Sequence, residues 1–267
     1  EFWEAVIREE ARDSQQPEMD IVNRMTQMYR SMKEADGAYD DSLTSHSGLS
    51  GKNGKKMANY AATHKCMCGE FGGAVMAKAI KMAESNACMK RIVAAPTAGS
   101  CGVVPAILIT YERMTNTSEN DMVKALFVAA GIGDVIARRA SISGARGGCQ
   151  AEIGSASAMA AGALVCLQGG DAEAIMHGAA LALKNMLGLV CDPVAGLVEV
   201  PCIKRNSYGA VNAVTSAQLA VAGIRSAIDP DEVIDSMRRI GNQLPACLKE
   251  TSEGGLATTE SARHYQS

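Results

Sequence analysis

Three cysteines at points where the chain changes direction are the residues best suited to do chemistry. Cys149 follows a pair of glycines, whereas Cys191 and Cys202 enclose a loop that contains proline and glycine. A loop can aim a thiolate while the flanking helices hold it in place. Thiolates are common protein ligands for zinc and for iron–sulfur clusters, so this region is a candidate metal centre.

The number of these cysteines bears on what such a centre could do. A cubane cluster that carries electrons is usually held by four cysteines. Three cysteines would leave one iron open, and an open metal ion can act as a Lewis acid on a substrate hydroxyl. The spacing of the three matches no common short metal motif. From the residues alone, buried free cysteines are the favoured interpretation and zinc is a further alternative.

Two loops of small and hydroxyl-bearing residues could bind a small ligand. Residues 39–54 are rich in serine, threonine and glycine and show no periodicity, so a flexible linker and a ligand-binding loop are equally good interpretations. Residues 97–102 lead directly into an apolar helical pattern. The N–H groups and positive dipole end at the start of that helix would favour a carboxylate.

The elements that must position these loops are predicted to be helices. Alanine and methionine are abundant, and only 4% of residues are aromatic, which favours closely packed helices over strands. We expect an all-α domain of roughly eight to ten helices. The alternative is a mixed α/β fold, because Arg91–Ala95 and Leu197–Pro201 could be extended. Helical patterns or start signals occur at Pro17–Met32, Lys56–Met89 with a break near Cys68, Pro105, Ser118, Glu152–Gln168, Asp171–Leu187, Ser207–Gly223 and Asp229.

Composition excludes several classes of partner. The 267 residues carry a net charge of −3, so nothing favours nucleic acid or a membrane surface. We find no signal-peptide pattern and no apolar run of bilayer length, and we expect a cytoplasmic protein. In a reducing compartment, nine cysteines argue for free, metal-bound or catalytic thiols instead of disulfides.

Four segments closely resemble the iron–sulfur L-serine dehydratases. The resemblance is to their catalytic α subunit, or to the α domain of the fused single-chain form, and it extends over nearly the whole chain. We therefore assign residues 1–267 to one such domain. The segments are Ala95–Gly102, Gly148–Ala156, Cys191–Gly196 and Val200–Asn206.

The resemblance implies a cofactor, a reaction and a partner. It implies a [4Fe–4S] cluster ligated here by Cys149, Cys191 and Cys202. It also implies conversion of L-serine to pyruvate and ammonia without pyridoxal phosphate, in a mainly helical domain. A β subunit or β domain is implied as well. This chain contains no evident β portion, so we expect a separate β chain or an isolated α domain.

The same resemblance suggests how a substrate would bind. The serine carboxylate would lie at Thr97, Gly99 and Ser100, assisted by Ser47 and Gly48 of the hydroxyl-rich loop. The serine hydroxyl would meet the open iron while a base removes the α-proton. The resulting aminoacrylate would hydrolyse to pyruvate and ammonia.

Several residues could assist this chemistry. His46 and His64 are candidate bases, although a lone histidine is more often structural. Lys204 could orient the carboxylate or lie on a solvated surface. Glu152 could instead cap its helix, and His177, inside an apolar helix, is expected to be structural.

Two departures from the family pattern keep other functions open. Residues 51–56 are more basic than the corresponding loop of the family, which puts the exact amino-acid substrate in question. Residues 258–261 also depart from the expected ending, and the last cysteine is Cys247. The alternatives are β-elimination on cysteine or another hydroxy amino acid, and a non-catalytic iron–sulfur sensor. A fourth protein ligand on the cluster would favour the sensor.

Overall fold

Helices begin where the sequence provides caps. Ser118, Asp171 and Asp229 each accept a hydrogen bond from a backbone N–H in the first turn of the following helix. These caps satisfy N–H groups that have no partner within the helix. Pro230 occupies the first helical position after Asp229, where its fixed backbone is tolerated. The starts predicted at Ser118 and Asp229 are thereby confirmed.

The computed structural model describes residues 1–64 and 66–265, and no strand occurs within those ranges. The all-α prediction is confirmed, with twelve α-helices in the described ranges, more than the roughly eight to ten expected from typical lengths. The helices are α1 Phe2–Ser14, α2 Glu18–Gly37, α3 Asn53–Thr63, α4 Gly69–Ala87, α5 Val103–Thr115, α6 Glu119–Arg139, α7 Gly144–Gly147, α8 Ser155–Leu167, α9 Ala172–Lys184, α10 Cys202–Val221, α11 Pro230–Gln243 and α12 Glu260–Arg263.

The two segments that had left a mixed fold open are irregular. Arg91–Ala95 and Leu197–Pro201 both lie in loops. The one bridge between extended residues in the described ranges pairs Cys191 with Lys249. The tertiary packing of helices therefore overrides the local β-propensity of these short runs.

Helix α8 lies at the centre of the core and packs against α5, α6, α9 and α10. Its small residues allow close approach. A Cβ on Gly162 would lie 2.2 Å from the Cδ1 atom of Ile132. The 18-residue window Gln150–Leu167 has a mean hydropathy of 1.2 and could cross a bilayer by length and composition, but 83% of it is buried inside the protein. It is long and apolar because it is the central core helix.

Two helix starts differ from the prediction in ways that affect the site. Helix α10 begins at Cys202 and not at Ser207, so this cysteine lies in the first helical turn. Helix α8 is preceded by a π-helical turn at Gln150–Gly154. Such turns widen a helix locally and occur often at functional sites. Both starts face the 3₁₀ turn at Ala98–Ser100, which precedes α5.

Candidate metal centre and substrate loops

Two of the three predicted cysteine ligands, Cys149 and Cys191, converge in the structure. One ligand atom from each of Cys149, Cys191 and Glu152 lies within 4.8 Å of the other two. Cys149 and Cys191 are each 2% exposed. Cys149 directly precedes the π-helical turn. The Cys191 amide donates to the Leu248 carbonyl oxygen and the Glu250 amide donates to the Cys191 carbonyl oxygen, and these two bonds fix the Cys191 loop. A soft thiolate pair that is buried and adjacent to a carboxylate can hold a metal.

Cys202 lies outside this 4.8 Å group, but it is near enough for the charges of Cys149 and Glu152 to act on its thiol. It is 7% exposed and lies at the start of α10. Burial raises the pKa of its thiol to about 12, and the negative charges of Cys149 and Glu152 add to that rise. All three predicted ligands are therefore buried and electrostatically coupled. This donor set, three cysteines on two loops and one helix start, fits an iron–sulfur centre.

The pKa values of two of the thiols are shifted in opposite directions. A hydrogen bond from Cys191 lowers the pKa of Cys149, and the nearby Arg205 guanidinium lowers it further against the effect of burial. The same hydrogen bond, together with burial, raises the pKa of Cys191. The thiolate form is therefore more favoured at Cys149 than at Cys191. Since a metal binds thiolates, occupancy of the site would release the Cys191 proton.

Glu152 turns toward the cysteines. Its Oε2 atom lies 3.9 Å from the Cys191 Sγ atom, and its carboxylate also accepts a hydrogen bond from Thr97. Burial is the main reason that the pKa of Glu152 is raised. Gly144 leaves room for this contact, because a Cβ there would lie 2.7 Å from Glu152 Oε2 and 3.0 Å from Cys191 Sγ. From the sequence, Glu152 is a candidate helix cap. In the structure its carboxylate points toward Cys191 and Thr97 instead.

Arg205 joins the cysteine cluster to the C-terminal segment. Its guanidinium donates to the Val190 carbonyl oxygen at 2.9 Å and to Asp192 Oδ1 at 3.0 Å. The other carboxylate oxygen of Asp192 accepts from the Leu256 amide at 2.9 Å. This mostly buried cation also lies against Cys149, where its positive charge favours the thiolate.

The predicted carboxylate-binding loop lies against Glu152. A Cβ on Gly99 would lie 3.2 Å from Glu152 Oε1, and the hydroxyls of Thr97 and Ser100 are 3.0 Å apart. Within the described ranges, the amide N–H groups of Ala98 and Gly99 have no hydrogen-bond acceptor. These amides and hydroxyls are adjacent to the cysteine cluster.

Asn206 fixes this loop. It also occupies part of the start of α5, where the sequence predicted that a ligand carboxylate would bind. Its Oδ1 atom accepts from the Gly102 amide at 2.8 Å, and its Nδ2 atom donates to the Gly99 carbonyl oxygen at 2.8 Å. It also donates to the Cys202 carbonyl oxygen at 3.0 Å. The Gly102 amide at the start of α5 is therefore unavailable to a substrate, and the earlier amides in the loop are the ones left.

The hydroxyl-rich loop is ordered by a carboxylate from the cysteine loop. Ser45 Oγ donates to Glu199 Oε2 at 2.6 Å, and Ser47 Oγ donates to Glu199 Oε1 at 2.9 Å. The Ser45 amide closes the turn on the Ser50 carbonyl oxygen at 2.8 Å. Gly48 has a φ of 77°, which glycine adopts without strain. Of the two interpretations, a held loop fits these contacts and a free linker does not.

The candidate bases lie at the periphery. His46 is exposed between the two serines that bind Glu199. His64 is exposed, stacks on Tyr60 and lies with Nδ1 2.8 Å from the Thr63 hydroxyl. Lys204 is exposed on α10. Among the described residues, no hydrogen bond or ion pair joins these three side chains to the cysteines, so their catalytic roles stay predictions.

Sequence reasoning assigned no role to four side chains that build the site: Asp192, Glu199, Arg205 and Asn206. One signal was available for two of them. Arg205 and Asn206 follow Cys202 by three and four positions and therefore share a helix face with it. No local signal pointed to Glu199, because its serine partners are 154 and 152 residues away.

Comparison with known proteins agrees with this arrangement. Residues 1–257 match the family described as "Serine dehydratase alpha chain". The chain is 45% identical to a probable L-serine dehydratase alpha chain from Bacillus subtilis over 98% of this chain and 88% of that protein. It is 40% identical to the L-serine dehydratase alpha chain of Peptoniphilus asaccharolyticus over 98% of this chain and 90% of that protein.

Longer relatives match over a smaller share of their length. L-serine dehydratase 1 of Escherichia coli is 43% identical over 67% of this chain, and the match spans 40% of that protein. The matches that span both sequences nearly end to end are those to alpha chains. By its sequence over residues 1–257 and by the relatives it matches, the chain belongs to the serine dehydratase alpha chain family.

Proposed function

We propose that this chain is the catalytic α unit of an L-serine ammonia-lyase that converts L-serine to pyruvate and ammonia. The convergence of buried Cys149 and Cys191 with Glu152, beside the open amides of the 97–100 loop, is the observation that carries the proposal. The names of the relatives supply the substrate and the reaction.

The proposed cofactor is a [4Fe–4S] cluster held by Cys149, Cys191 and Cys202. When bound, such a cluster supplies an iron with an open coordination position, which is a Lewis acid for the substrate hydroxyl. The protein's part is to hold three buried thiolates together. Arg205 supports it by placing a positive charge against Cys149.

The substrate carboxylate is proposed to bind where two loops meet the cysteine cluster. The amides of Ala98 and Gly99 and the hydroxyls of Thr97 and Ser100 offer hydrogen-bond donors at this place. Ser47 and Gly48 would approach from the second loop, held by Glu199. Preorganised donors stabilise a carboxylate without a further reorganisation cost.

Removal of the α-proton requires a base near this pocket. His46, His64 and Lys204 stay proposed for this step or for orienting the substrate. Glu152 is an additional candidate on geometry, since its carboxylate lies between Gly99 and the cysteines. The proton would pass to the base, the hydroxyl would leave as water, and hydrolysis of the aminoacrylate would give pyruvate and ammonia.

Two further properties belong to the proposal. The relatives are named alpha chains, which supports a separate β chain as partner. A cytoplasmic location is proposed for a metabolic enzyme of this kind.

The test is an anaerobic reconstitution with iron and sulfide, followed by a coupled assay for pyruvate. We expect pyruvate from L-serine with the unaltered chain, and both iron content and pyruvate lost in Cys191→Ala. Cys68→Ala is the matched control, because Cys68 is exposed and lies apart from the cluster. L-cysteine and L-threonine, run in parallel, test the alternative substrates. A complete cluster without pyruvate, even with a β chain added, would exclude the serine reaction.

A further inference from the structure

A basic cavity lies beside the cysteine cluster and is lined by other residues. It has a volume of about 300 Å³, opens to solvent, and is bordered by the end of α6, by α7, by one face of α11 and by Lys249. In the part of the chain that the structure describes, its lining includes no cysteine and none of the candidate substrate-binding residues. This volume is at the lower end of the range for small-molecule sites.

Among the described residues, three cations and no carboxylate line the cavity. The cations are Arg146, Arg238 and Lys249. Within the described ranges, neither Arg146 nor Lys249 forms an ion pair, and Arg238 reaches Asp235 only at 3.9 Å. Asp235 is already paired with Arg139 at 2.9 Å, so it neutralises little of this charge. A concave concentration of positive charge stands out in a chain whose net charge is −3.

Polar groups and small side chains complete the walls. Asn242 and Ser141 add an amide and a hydroxyl to the three cations. Gly147, Ala151 and Gly241 leave space, because they carry at most a methyl group. Guanidinium groups bind carboxylate and phosphate oxygens in pairs, and an ammonium group binds them as a point charge. The donor set matches a small anion with several negative oxygens.

The cavity touches the two segments that position the cysteine pair. Gly147 and Ala151 line the cavity and lie on either side of Cys149 in the sequence. Lys249 belongs to a segment that is hydrogen-bonded to the Cys191 backbone. The Cys191 amide donates to the Leu248 carbonyl oxygen at 2.9 Å, and the Glu250 amide donates to the Cys191 carbonyl oxygen at 2.8 Å. An anion that bridges Arg146 and Lys249 would tie these two segments together.

We propose that this cavity, defined by Arg146, Arg238, Lys249 and Asn242, is a binding site for a small polyvalent anion, either a phosphate or a polycarboxylate. Its occupancy restrains the segments that carry Cys149 and Cys191. The site is separate from the proposed reaction and does not depend on it.

Calorimetric titration with inorganic phosphate and, separately, with citrate tests the binding, with ionic strength held constant by sodium chloride. We expect saturable binding of one anion per chain. Arg146→Gln and Lys249→Gln should each weaken binding about 10-fold or more, because each removes a charge-assisted hydrogen bond. Arg239→Gln is the matched control, since Arg239 is exposed on α11 next to Arg238 and does not line the cavity.

The two titrations distinguish the possible anions. Saturation by phosphate alone assigns a phosphate site, and saturation by citrate alone assigns a polycarboxylate site. Arg238→Gln provides an independent variant should Arg146→Gln lose helical structure by circular dichroism. Weak, non-saturable heats with both anions, or equal affinity in the Arg146, Lys249 and Arg239 variants, would overturn the proposal.

Thiol labelling tests the link to the cysteines. In the metal-free chain, the bound anion should slow alkylation of Cys149 and Cys191, followed by peptide mass spectrometry, several-fold at saturation. Cys68, which is exposed and lies at the start of α4, serves as the internal control with an unchanged rate. Saturable binding with unchanged rates at both Cys149 and Cys191 would overturn the restraint while leaving the site itself supported.

Discussion

The 97–100 loop and the 45–50 loop are held by different kinds of side chain. The 97–100 loop is held by the amide of Asn206, which is 0% exposed and bonds three backbone groups. The 45–50 loop is held by the carboxylate of Glu199, which accepts from the hydroxyls of Ser45 and Ser47. The Asn206 amide fixes the backbone of its loop, whereas the Glu199 carboxylate fixes the side chains of its loop.

The difference indicates separate tasks for the two loops. Buried backbone groups need partners, so loss of the Asn206 amide would leave polar groups without hydrogen bonds inside the protein. The exposed Ser47 hydroxyl can turn to water, and the buried Ser45 hydroxyl keeps its contacts with Ser47 and with the Ser50 amide, so loss of the Glu199 carboxylate costs less stability. We therefore interpret the 97–100 loop as a fixed floor of the site and the 45–50 loop as an adjustable wall.

The largest expected effect is from removing the fixed contact. Asn206→Ala leaves the Gly102 amide and the Gly99 carbonyl oxygen unpaired, and we expect the free energy of unfolding to fall by about 3 kcal/mol. Urea denaturation followed by circular dichroism measures this change. The reconstituted variant should also lose most of its activity, because the amides of the loop are displaced.

Asn206→Asp is the matched variant for that experiment. It keeps an acceptor for the Gly102 amide but loses the donor to Gly99 and Cys202, and it places a negative charge near two carbonyl oxygens. We expect it to be destabilised as well. Unchanged stability in both variants would contradict a fixed floor and would place the support of this loop elsewhere.

A smaller and different effect is expected at the adjustable wall. Glu199→Ala should lower the free energy of unfolding by only about 1 kcal/mol, since the Ser45 hydroxyl keeps its contacts with Ser47 and with the Ser50 amide. If Ser47 contacts the substrate, KM for L-serine should rise about 10-fold while kcat changes less. Steady-state kinetics of the reconstituted variant measure both constants.

Glu199→Gln sharpens this result because it keeps the shape and one acceptor oxygen. Its KM should lie between those of the unaltered chain and Glu199→Ala. A fall in kcat with unchanged KM would instead indicate that Glu199 acts on the chemical step. Equal and large losses of stability in the Asn206 and Glu199 variants would remove the distinction between floor and wall.

The sequence predicted the parts of this comparison that depend on local pattern. Helical periodicity gave the all-α class, and the cap at Asp229 gave the start of α11. The structure also brings together Cys149 and Cys191, two of the three cysteines whose roles the family resemblance implied. The sequence could also point to the 97–100 and 45–50 loops, because both are unusually rich in small and hydroxyl-bearing residues.

What the sequence did not reveal depends on distant or shared contacts. Glu199 looked like one more loop acid, because its partners are separated from it by 152 residues or more. The π-helical turn at Gln150–Gly154 has no periodic signature that distinguishes it from the start of α8. The start of α10 was predicted five residues late, because Lys204 and Arg205 hid the helical pattern that begins at Cys202.

Independence of the two loops can be measured with the double variant Asn206→Ala/Glu199→Ala. Asn206 and Glu199 share no hydrogen-bond partner in the described part of the chain. Their effects on the free energy of unfolding should add to within about 0.5 kcal/mol. Urea denaturation of the four proteins in this cycle measures the coupling. A coupling of about 2 kcal/mol would show that floor and wall form one cooperative unit, joined through the segment that connects them.

The smallest expected effect reports on the Glu199 charge alone. Burial, followed by the negative charges of Glu84 and Glu199, raises the pKa of the Cys88 thiol. Glu199→Gln removes one of these charges, so the pKa of Cys88 should fall and its thiolate fraction below that pKa should rise. Because the thiolate is the reactive form, alkylation of Cys88 at pH 8 should accelerate about two-fold. Peptide mass spectrometry over a range of pH measures the rate.

Cys101 is the control for that experiment, since it lies beside the Asn206-held loop. Burial raises the pKa of Cys101 to about 12, it is 0% exposed, and Glu199 does not contribute to that rise. Its slow alkylation should not change in Glu199→Gln. The pH profile of Cys88 separates charge from movement: loss of charge shifts the profile to lower pH, whereas opening of the 45–50 loop raises the rate at every pH. A uniform rise in the alkylation rate of Cys88 would mean that the Glu199 carboxylate keeps the 45–50 loop closed and that a neutral glutamine does not keep it closed.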